Sequence, residues 1–202
     1  MINGHRLTRA VIFLAVAIGL AGCASSPSAR FYTLTPLSAQ QAKQASPQAK
    51  PVSISIAPVE LPDYLERPQI VTRDGQNEID LAEYDRWAGS LSDNISAVLA
   101  ENLVQLLNSD RVYVYPRLRT EKADYLVSMR ILRLDCMPGN QVLLKAQWSV
   151  AAGADGKDVA TRISTVSERL TDKGYPTMVA AVGRTLEQVS REIAREIPAR
   201  QQ

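Results

Sequence analysis

Residues 91–115 read LSDNISAVLAENLVQLLNSDRVYVY and contain the clearest helix of the chain, followed by a short strand. Between 91 and 107 the apolar residues recur at the spacing of one helical face, and Ser90 stands three positions before Asp93, as in a capping box. The polar Asn-Ser-Asp that follows ends the helix, and the β-forming Arg-Val-Tyr-Val-Tyr stops at Pro116. This stretch therefore predicts an amphipathic helix that leads into a strand.

Another strand precedes this helix, and three more follow the stretch. Val52, Ile54 and Ile56 alternate with small residues, which predicts a strand with one buried face and hence a strand-helix-strand unit with a parallel pair. Downstream, three alternating runs separated by hairpin-length turns predict an antiparallel meander. The residues that mark the three runs are Tyr125, Val127, Met129 and Ile131; Val142, Leu144, Ala146, Trp148 and Val150; and Val159, Thr161, Ile163 and Thr165.

A second amphipathic helix closes the chain. Pro176 stands at a favoured first helical position, and apolar residues from Val179 to Ile197 form one stripe. We therefore predict a two-layer α/β domain, in which two amphipathic helices pack on one face of a mixed β-sheet and the strand-helix-strand unit is followed by the antiparallel meander.

The first 23 residues have the organisation of an export signal. A basic start and an apolar run over 10–20 lead to Leu20-Ala21-Gly22-Cys23, and the run is shorter than the about 20 apolar residues that a spanning helix needs. We predict a lipoprotein signal peptide over 1–22. Its ending resembles the bacterial lipobox, which implies cleavage before Cys23, a diacylglyceryl group on the thiol and acylation of the new amine. The alternative is an ordinary secretory signal in which Cys23 is incidental.

Lipidation of Cys23 would decide where the protein lies. Since each buried methylene contributes about 0.8 kcal/mol, two or more acyl chains give stable membrane anchoring. The residues after the cysteine are Ala24-Ser25 rather than an aspartate, which favours the periplasmic face of an outer membrane. We expect a lipidated tether, a short strand near Phe31 and a flexible loop over 23–51, followed by the folded domain over 52–198.

The composition narrows the chemistry that the mature chain can perform. Without Arg6 and Arg9 of the signal peptide, 21 bases balance 21 acids, so there is no broad positive field for nucleic acid. The single histidine, His5, also lies in the signal peptide, which removes histidine nucleophile pairs, histidine bases and zinc sites with histidine ligands. We therefore expect no catalytic residues, metal or cofactor. Cys136 has no second cysteine in the mature domain, and we expect it to be a small buried side chain rather than a reactive thiol.

Two segments carry a resemblance to a known family. The sequence VELPDYLERPQIVTR at 59–73, followed by YDRWA at 84–88 and the helix of 91–107, is similar to the ABC-type transport auxiliary lipoproteins of the PqiC kind. The similarity extends from Phe31 to the last helix. It implies an accessory lipoprotein of a membrane-spanning lipid-transfer system, whose partners are an inner-membrane transport complex and a periplasmic protein with MCE (mammalian cell entry) domains. No catalytic residues come with the resemblance.

A partner-binding surface is predicted in the densest part of this segment. Arg67 and Arg73 can form forked contacts with carboxylates or lipid phosphates, and Pro68 stiffens the chain between them. The alternative is that both arginines brace the segment through its own acidic residues. Trp87 can stack at an interface or cover the start of the helix. The predicted partner-binding residues are Tyr64, Arg67, Pro68, Gln69, Arg73 and Trp87.

Three functional hypotheses follow. The first is a non-enzymatic, outer-membrane-anchored lipoprotein that docks the periplasmic assembly of an MCE and ABC-type lipid transport system and supports membrane integrity, with phospholipid as a ligand and a homo-oligomer around a tubular partner. The second is a periplasmic lipid carrier with an apolar pocket between sheet and helices. The third is a periplasmic hydrolase that uses a Ser-Lys pair or the carboxylates of 63–85, and only the abundance of acids favours it.

Overall fold

The computed structural model describes residues 28–38, 52–115, 123–153 and 155–198, which form two mixed β-sheets and two α-helices. The signal peptide, Cys23 and most of the expected loop before Val52 lie outside the described residues. In chain order the elements are β1 (Arg30–Tyr32), β2 (Ile54–Ile56), a 3-10 helix (Asp63–Leu65), β3 (Gln69–Asp74), β4 (Glu78–Trp87), α1 (Leu91–Leu107), β5 (Val112–Val114), β6 (Tyr125–Met137), β7 (Gln141–Ala152), β8 (Asp158–Arg169) and α2 (Tyr175–Glu196).

The larger sheet has five strands in the order β5-β2-β6-β7-β8. Strand β2 is parallel to both β5 and β6. In chain order, α1 connects β4 to β5. Strands β6, β7 and β8 pair antiparallel in sequence order. The predicted strand-helix-strand unit with a parallel pair and the predicted meander are therefore both confirmed.

Both helices lie on one face of this sheet and contact each other. α2 packs over β7 and β8, and α1 packs beside β5. The Ser90 hydroxyl accepts a hydrogen bond from the Asp93 N–H at 3.2 Å, and α1 ends at Asn108 in a left-handed conformation with φ 47°. The side chain of Trp148 is fully buried in the core, and its indole N–H donates to the Ser164 hydroxyl at 2.8 Å. The helical limits and the core position of Trp148 agree with the sequence pattern.

The residues that mark the third strand of the meander lie on its solvent-exposed face. Val159, Thr161, Ile163 and Thr165 are exposed, and 57% of Ile163 is accessible to solvent. The side chains towards the helices belong to the intervening residues, among them the buried Ser164. Ser164 tolerates this position because its hydroxyl bonds both the Trp148 indole and the Glu192 carboxylate of α2.

A second sheet of three strands, in the order β1-β4-β3, is present where the sequence predicts one sheet only. Strands β3 and β4 form an antiparallel hairpin around the turn after Asp74, and β4 continues to Trp87. Strand β1 pairs parallel with that extension. The buried Asp85 carboxylate accepts hydrogen bonds from the Tyr32 hydroxyl at 2.6 Å and from the Arg30 guanidinium at 3.0 Å, which fixes β1 to β4 rather than to the edge of the larger sheet.

Beyond β1, the chain crosses the two helices instead of continuing as a strand to Thr35. The Leu34 N–H donates to the Asn94 side-chain carbonyl at 2.7 Å, and the Leu37 N–H donates to that of Asn102 at 2.8 Å. The amide nitrogen of the fully buried Asn102 also donates to the Ser190 hydroxyl of α2 at 3.0 Å. This N-terminal segment is therefore clamped onto both helices by side chains of α1.

Candidate functional site

The predicted partner-binding residues lie where the smaller sheet meets the start of α1, and they separate into two groups. Tyr64, Arg73 and Trp87 contact the interior of the protein. Arg67 and Gln69 are half-buried, and Pro68 is exposed. The structure therefore brings the six residues together in one region but places only the second group at the surface.

Arg73 joins the two sheets. Its Nε donates to Oδ1 of Asp135 on β6 at 2.7 Å, and Arg133 bonds the other carboxylate oxygen. The side chain of Asp135 is 1% exposed and that of Arg73 15%. The hydrogen bond to Asp135 raises the pKa of the Arg73 guanidinium, against the opposing effect of burial. Arg73 thus braces the segment, as one of the two interpretations held, but through a residue 62 positions away rather than through a neighbouring acid.

Tyr64 and Trp87 complete this brace. The Tyr64 hydroxyl accepts a hydrogen bond from the Leu134 N–H at 3.4 Å, next to the carboxylate that holds Arg73. Trp87 is 6% exposed and packs in the main core, and its backbone N–H donates to the Pro68 carbonyl at 2.7 Å. Of the two interpretations of Trp87, burial at the start of α1 is the one that the structure supports.

An open groove lies between the bend before β3 and the start of α1. Its volume is about 560 Å³. A Cβ added at Gly89, one of the lining residues, would meet no atom within 4 Å. The lining residues are Leu61, Glu66, Arg67, Pro68, Trp87, Ala88, Gly89, Ser90, Leu91 and Ser92. Both segments of the family resemblance therefore line one cavity.

Arg67 of the groove lining and Arg86, which precedes Trp87, each have a buried side-chain nitrogen. The Nε atoms of Arg67 and Arg86 are buried and have no hydrogen-bond partner among the residues that the structure describes. A buried donor without a partner costs about 1–3 kcal/mol, which makes such groups rare in folded proteins. Arg86 belongs to the resembling sequence YDRWA, and the sequence alone assigns no role to its guanidinium. Its position in a strand between the core residues Asp85 and Trp87 is the signal that could have identified it.

Other cavities and acidic residues give less support to the alternative functions. A cavity of about 310 Å³ lies on the sheet face away from the helices, and one of about 340 Å³ lies between the N-terminal segment and α2. Neither is placed between the sheet and the helices, where the carrier hypothesis requires it. Within the described ranges, no cluster of His, Cys, Asp and Glu could hold a metal ion, and no helix is long and apolar enough to span a membrane.

Cys136 is buried, as the sequence suggested. Burial, followed by the neighbouring charge of Asp135, raises the pKa of the thiol to about 12. Because the thiolate is the reactive form, the Cys136 sulfur is protected from alkylation and oxidation at neutral pH.

Comparison with known proteins identifies the family. The chain resembles the crystal structure of an uncharacterized protein, with a TM-score of 0.69, 18% identity and coverage of 85% of this chain and 100% of that one. The crystal structure of a Xanthomonas campestris protein of family DUF330 has a TM-score of 0.66 and 17% identity, with coverage of 82% of this chain and 93% of that one. A PelC dodecamer from Paraburkholderia phytofirmans has a TM-score of 0.47 and 12% identity, with coverage of 74% of this chain and 93% of that one. No curated protein matches the sequence. The family model described as "ABC-type transport auxiliary lipoprotein component" matches residues 32–194, and the chain therefore belongs to that family.

Proposed function

We propose that this protein is an outer-membrane-anchored accessory lipoprotein that docks the periplasmic MCE-domain component of a lipid transport system. Membership of the transport auxiliary family supports the general role. The observation that carries the docking proposal is the open groove of about 560 Å³, because the two sequence segments that resemble the family meet in it.

The groove has the composition of a protein-binding surface. Leu61 and Pro68 supply apolar area, and Glu66 and Arg67 supply charges of both signs. Interfaces commonly combine an apolar centre with a polar rim, and aromatic and arginine side chains are enriched in them. Arg67, Pro68 and Gln69 form one side of the groove, and we assign these three of the predicted residues to direct contact.

The brace beneath the groove keeps its shape. Arg73 and Tyr64 connect the segment to β6 at Asp135 and Leu134, and Trp87 connects it to the core. A preformed surface loses less conformational entropy when a partner binds. We therefore assign Tyr64, Arg73 and Trp87 to positioning the surface rather than to contact with the partner.

Filling the groove tests the proposal directly. Gly89→Trp places a large side chain where nothing lies within 4 Å of the new Cβ, so the fold should be retained. We expect capture of the MCE-domain partner from solubilised membranes to fall about tenfold or more, since loss of one central contact costs about 1.4 kcal/mol or more. Glu101→Trp, at an exposed position of α1 away from the groove lining, is the control and should capture the partner normally. Undiminished capture by Gly89→Trp would reject the groove.

The anchor is tested separately. Cys23→Ser should leave the protein outside the outer-membrane fraction, because no acyl chain could then be attached. Intact-mass analysis of the wild-type protein should show a chain that begins at Cys23 and carries acyl groups. An unmodified, full-length wild-type chain would contradict this part of the proposal.

We also propose self-association. Within the described strands β8 pairs only with β7, so one side of a 12-residue strand has no strand partner. Long unpaired edges favour pairing with another chain. Native mass spectrometry of the acylated protein in detergent should show more than one copy, and Ile163→Lys at the exposed part of this strand should reduce that species; a purely monomeric wild type would reject it.

A further inference from the structure

A cross-strand row of side chains lies on the outer face of the smaller sheet. Phe31 of β1 pairs with Arg86 of β4, and Arg86 pairs with Gln69 of β3. Residues paired in this way project from the same face of a sheet. The neighbouring pairs Arg30 with Asp85 and Tyr32 with Trp87 project to the other face, towards the core. Phe31 is 63% exposed, so the row faces away from the protein body.

The two arginines of this region differ from the other half-buried arginines. Arg73 bonds Asp135 and Arg191 bonds Glu187, each at 2.8 Å or less. Arg67, two residues before Gln69, and Arg86 have no ion pair within the described part of the chain, and each has a buried Nε that makes no hydrogen bond. Two cationic groups on either side of Gln69 that make no ion pair with the described residues are suited to an external anion, and planar guanidinium groups bind phosphate well.

Chain connectivity places this row near the proposed anchor. Phe31 is eight residues after Cys23, and a fully extended chain of eight residues spans at most about 26–29 Å. When Cys23 is acylated, the row must stay within that distance of the membrane. Ile163, another strongly exposed apolar residue, lies in the larger sheet and is separated from Cys23 by 140 residues of sequence.

We propose that Phe31, Arg86 and Arg67 form a membrane-contact surface that lies on the anionic phospholipid headgroups around the acylated Cys23. The arginines contact headgroup phosphates, and the Phe31 ring enters the interfacial region. The inference rests on the proposed anchoring and adds an orientation: the outer face of the smaller sheet faces the membrane. Arg67 lies where this surface meets the docking groove, so the partner protein is received close to the lipid.

Vesicle binding by the mature chain tests this surface without the anchor. The probe is the chain from residue 23 with Cys23→Ser, mixed with phosphatidylethanolamine vesicles that contain or lack phosphatidylglycerol. We expect binding to the vesicles with phosphatidylglycerol and weaker binding as salt is raised. Arg86→Gln and Arg67→Gln should each weaken it about fivefold, since one cation near an anionic surface contributes about that factor. Phe31→Ser should weaken it by a similar factor.

The control removes the same charge elsewhere. Lys145→Gln changes an exposed residue of β7 in the larger sheet, and it should bind vesicles as the unsubstituted chain does. Thermal unfolding of each variant checks that the fold is intact, and only variants with an unchanged midpoint are compared. Because Phe31 is exposed, Phe31→Ser keeps the test valid if either arginine variant fails to fold.

Each further outcome decides between this surface and another explanation. Equal losses for Lys145→Gln and Arg86→Gln would show a diffuse charge effect and overturn the proposal. Competition by free glycerol phosphate at the same phosphate concentration would show an isolated anion site and also overturn it. Unchanged vesicle binding by Arg86→Gln and Phe31→Ser, with loss of partner capture, would make the row a protein surface. Gly89→Trp should bind vesicles normally, which separates this surface from the docking groove. A result that rejects the docking groove therefore does not affect the proposed membrane contact.

Discussion

The larger sheet is held to the helices through fully buried apolar side chains such as Ile54, Leu144 and Ile193. The smaller sheet adds Ile70 and Trp87 to the same core and is also held by polar contacts of buried charged groups. Asp85 bonds Arg30 and Tyr32 within the smaller sheet, and Arg73 bonds Asp135 across to the larger one. Polar contacts require specific geometry and are lost when one partner is removed. The difference indicates a rigid α/β body that carries a precisely oriented attachment, and both proposed surfaces lie on that attachment.

The largest effect should follow a deletion in the apolar body. Leu144→Ala removes a fully buried side chain from the centre of β7 and should lower the free energy of unfolding by about 3–4 kcal/mol. Leu81→Ala, on the exposed part of β4, should change it by about 0.5 kcal/mol or less. Urea unfolding measures both. Similar losses for the two variants would contradict the burial of Leu144 in the core and the exposure of Leu81.

Breaking the ion pair between Arg73 and Asp135 should lower the free energy of unfolding somewhat less, and its effect should be local. Asp135→Asn leaves the Arg73 guanidinium without its carboxylate and should lower the free energy of unfolding by about 3 kcal/mol. Hydrogen exchange should accelerate at the amides of β3 more than at those of β7. Glu60→Gln is the control, because its pair with Arg130 is exposed and should contribute about 0–1 kcal/mol. Uniform acceleration over both sheets would show that the link is not local.

Loss of the clamp on the N-terminal segment should lower the free energy of unfolding by a smaller amount. Asn102→Ala removes the acceptor of the Leu37 N–H and the donor to Ser190, at a cost of about 2 kcal/mol. Trypsin should then cleave after Arg30 faster than in the unsubstituted protein. Gln105→Ala, at an exposed position of the same helix, should leave both the stability and the cleavage rate unchanged. Unaltered cleavage in Asn102→Ala would contradict the clamp.

The smallest effect concerns the start of α2. The Gly174 N–H bonds the Asp172 carboxylate at 2.6 Å and the Thr177 hydroxyl bonds it at 2.8 Å, and these bonds lower the pKa of Asp172 below its usual value. The carboxylate therefore stabilises the fold above its unfolded pKa of about 3.9, and this contribution is lost as pH falls through the lower folded pKa. Asp172→Asn should be less stable at neutral pH, and the difference should disappear in acid.

The sequence was most informative where one periodicity extended over many residues. The limits of α1 followed from its apolar spacing, and the meander followed from alternation and turns. The alternation in β8 identified the strand but not its buried face, because Ser164 is buried through hydrogen bonds that a hydropathy pattern cannot reveal. The second sheet was missed because the pairing of β1 with β4 joins residues more than 50 positions apart, and its cause is the carboxylate of Asp85.

The sequence predicted where the candidate site lies, but it predicted the roles of the site residues only in part. The resemblance to the family pointed to the segment of 64–73, and this segment does border a groove. Arg73 could not be separated from Arg67 by residue type, because its partner Asp135 is distant in sequence. An aspartate between Leu134 and Cys136 in an apolar strand was the available signal of a buried ion pair. The partners of individual charges depend on tertiary distances, which local patterns do not contain.

The attachment of β1 also determines how the protein would respond to tension. A pull on the chain before Arg30 acts along β1, parallel to the strands, so the hydrogen bonds to β4 are loaded together in shear rather than broken one by one. Any slip of β1 must also draw Leu34 and Leu37 out from the side chains of Asn94 and Asn102. A lipoprotein that is held at one membrane while its partner extends towards another would experience such a force, and this arrangement transmits it to the rigid body without peeling the first strand.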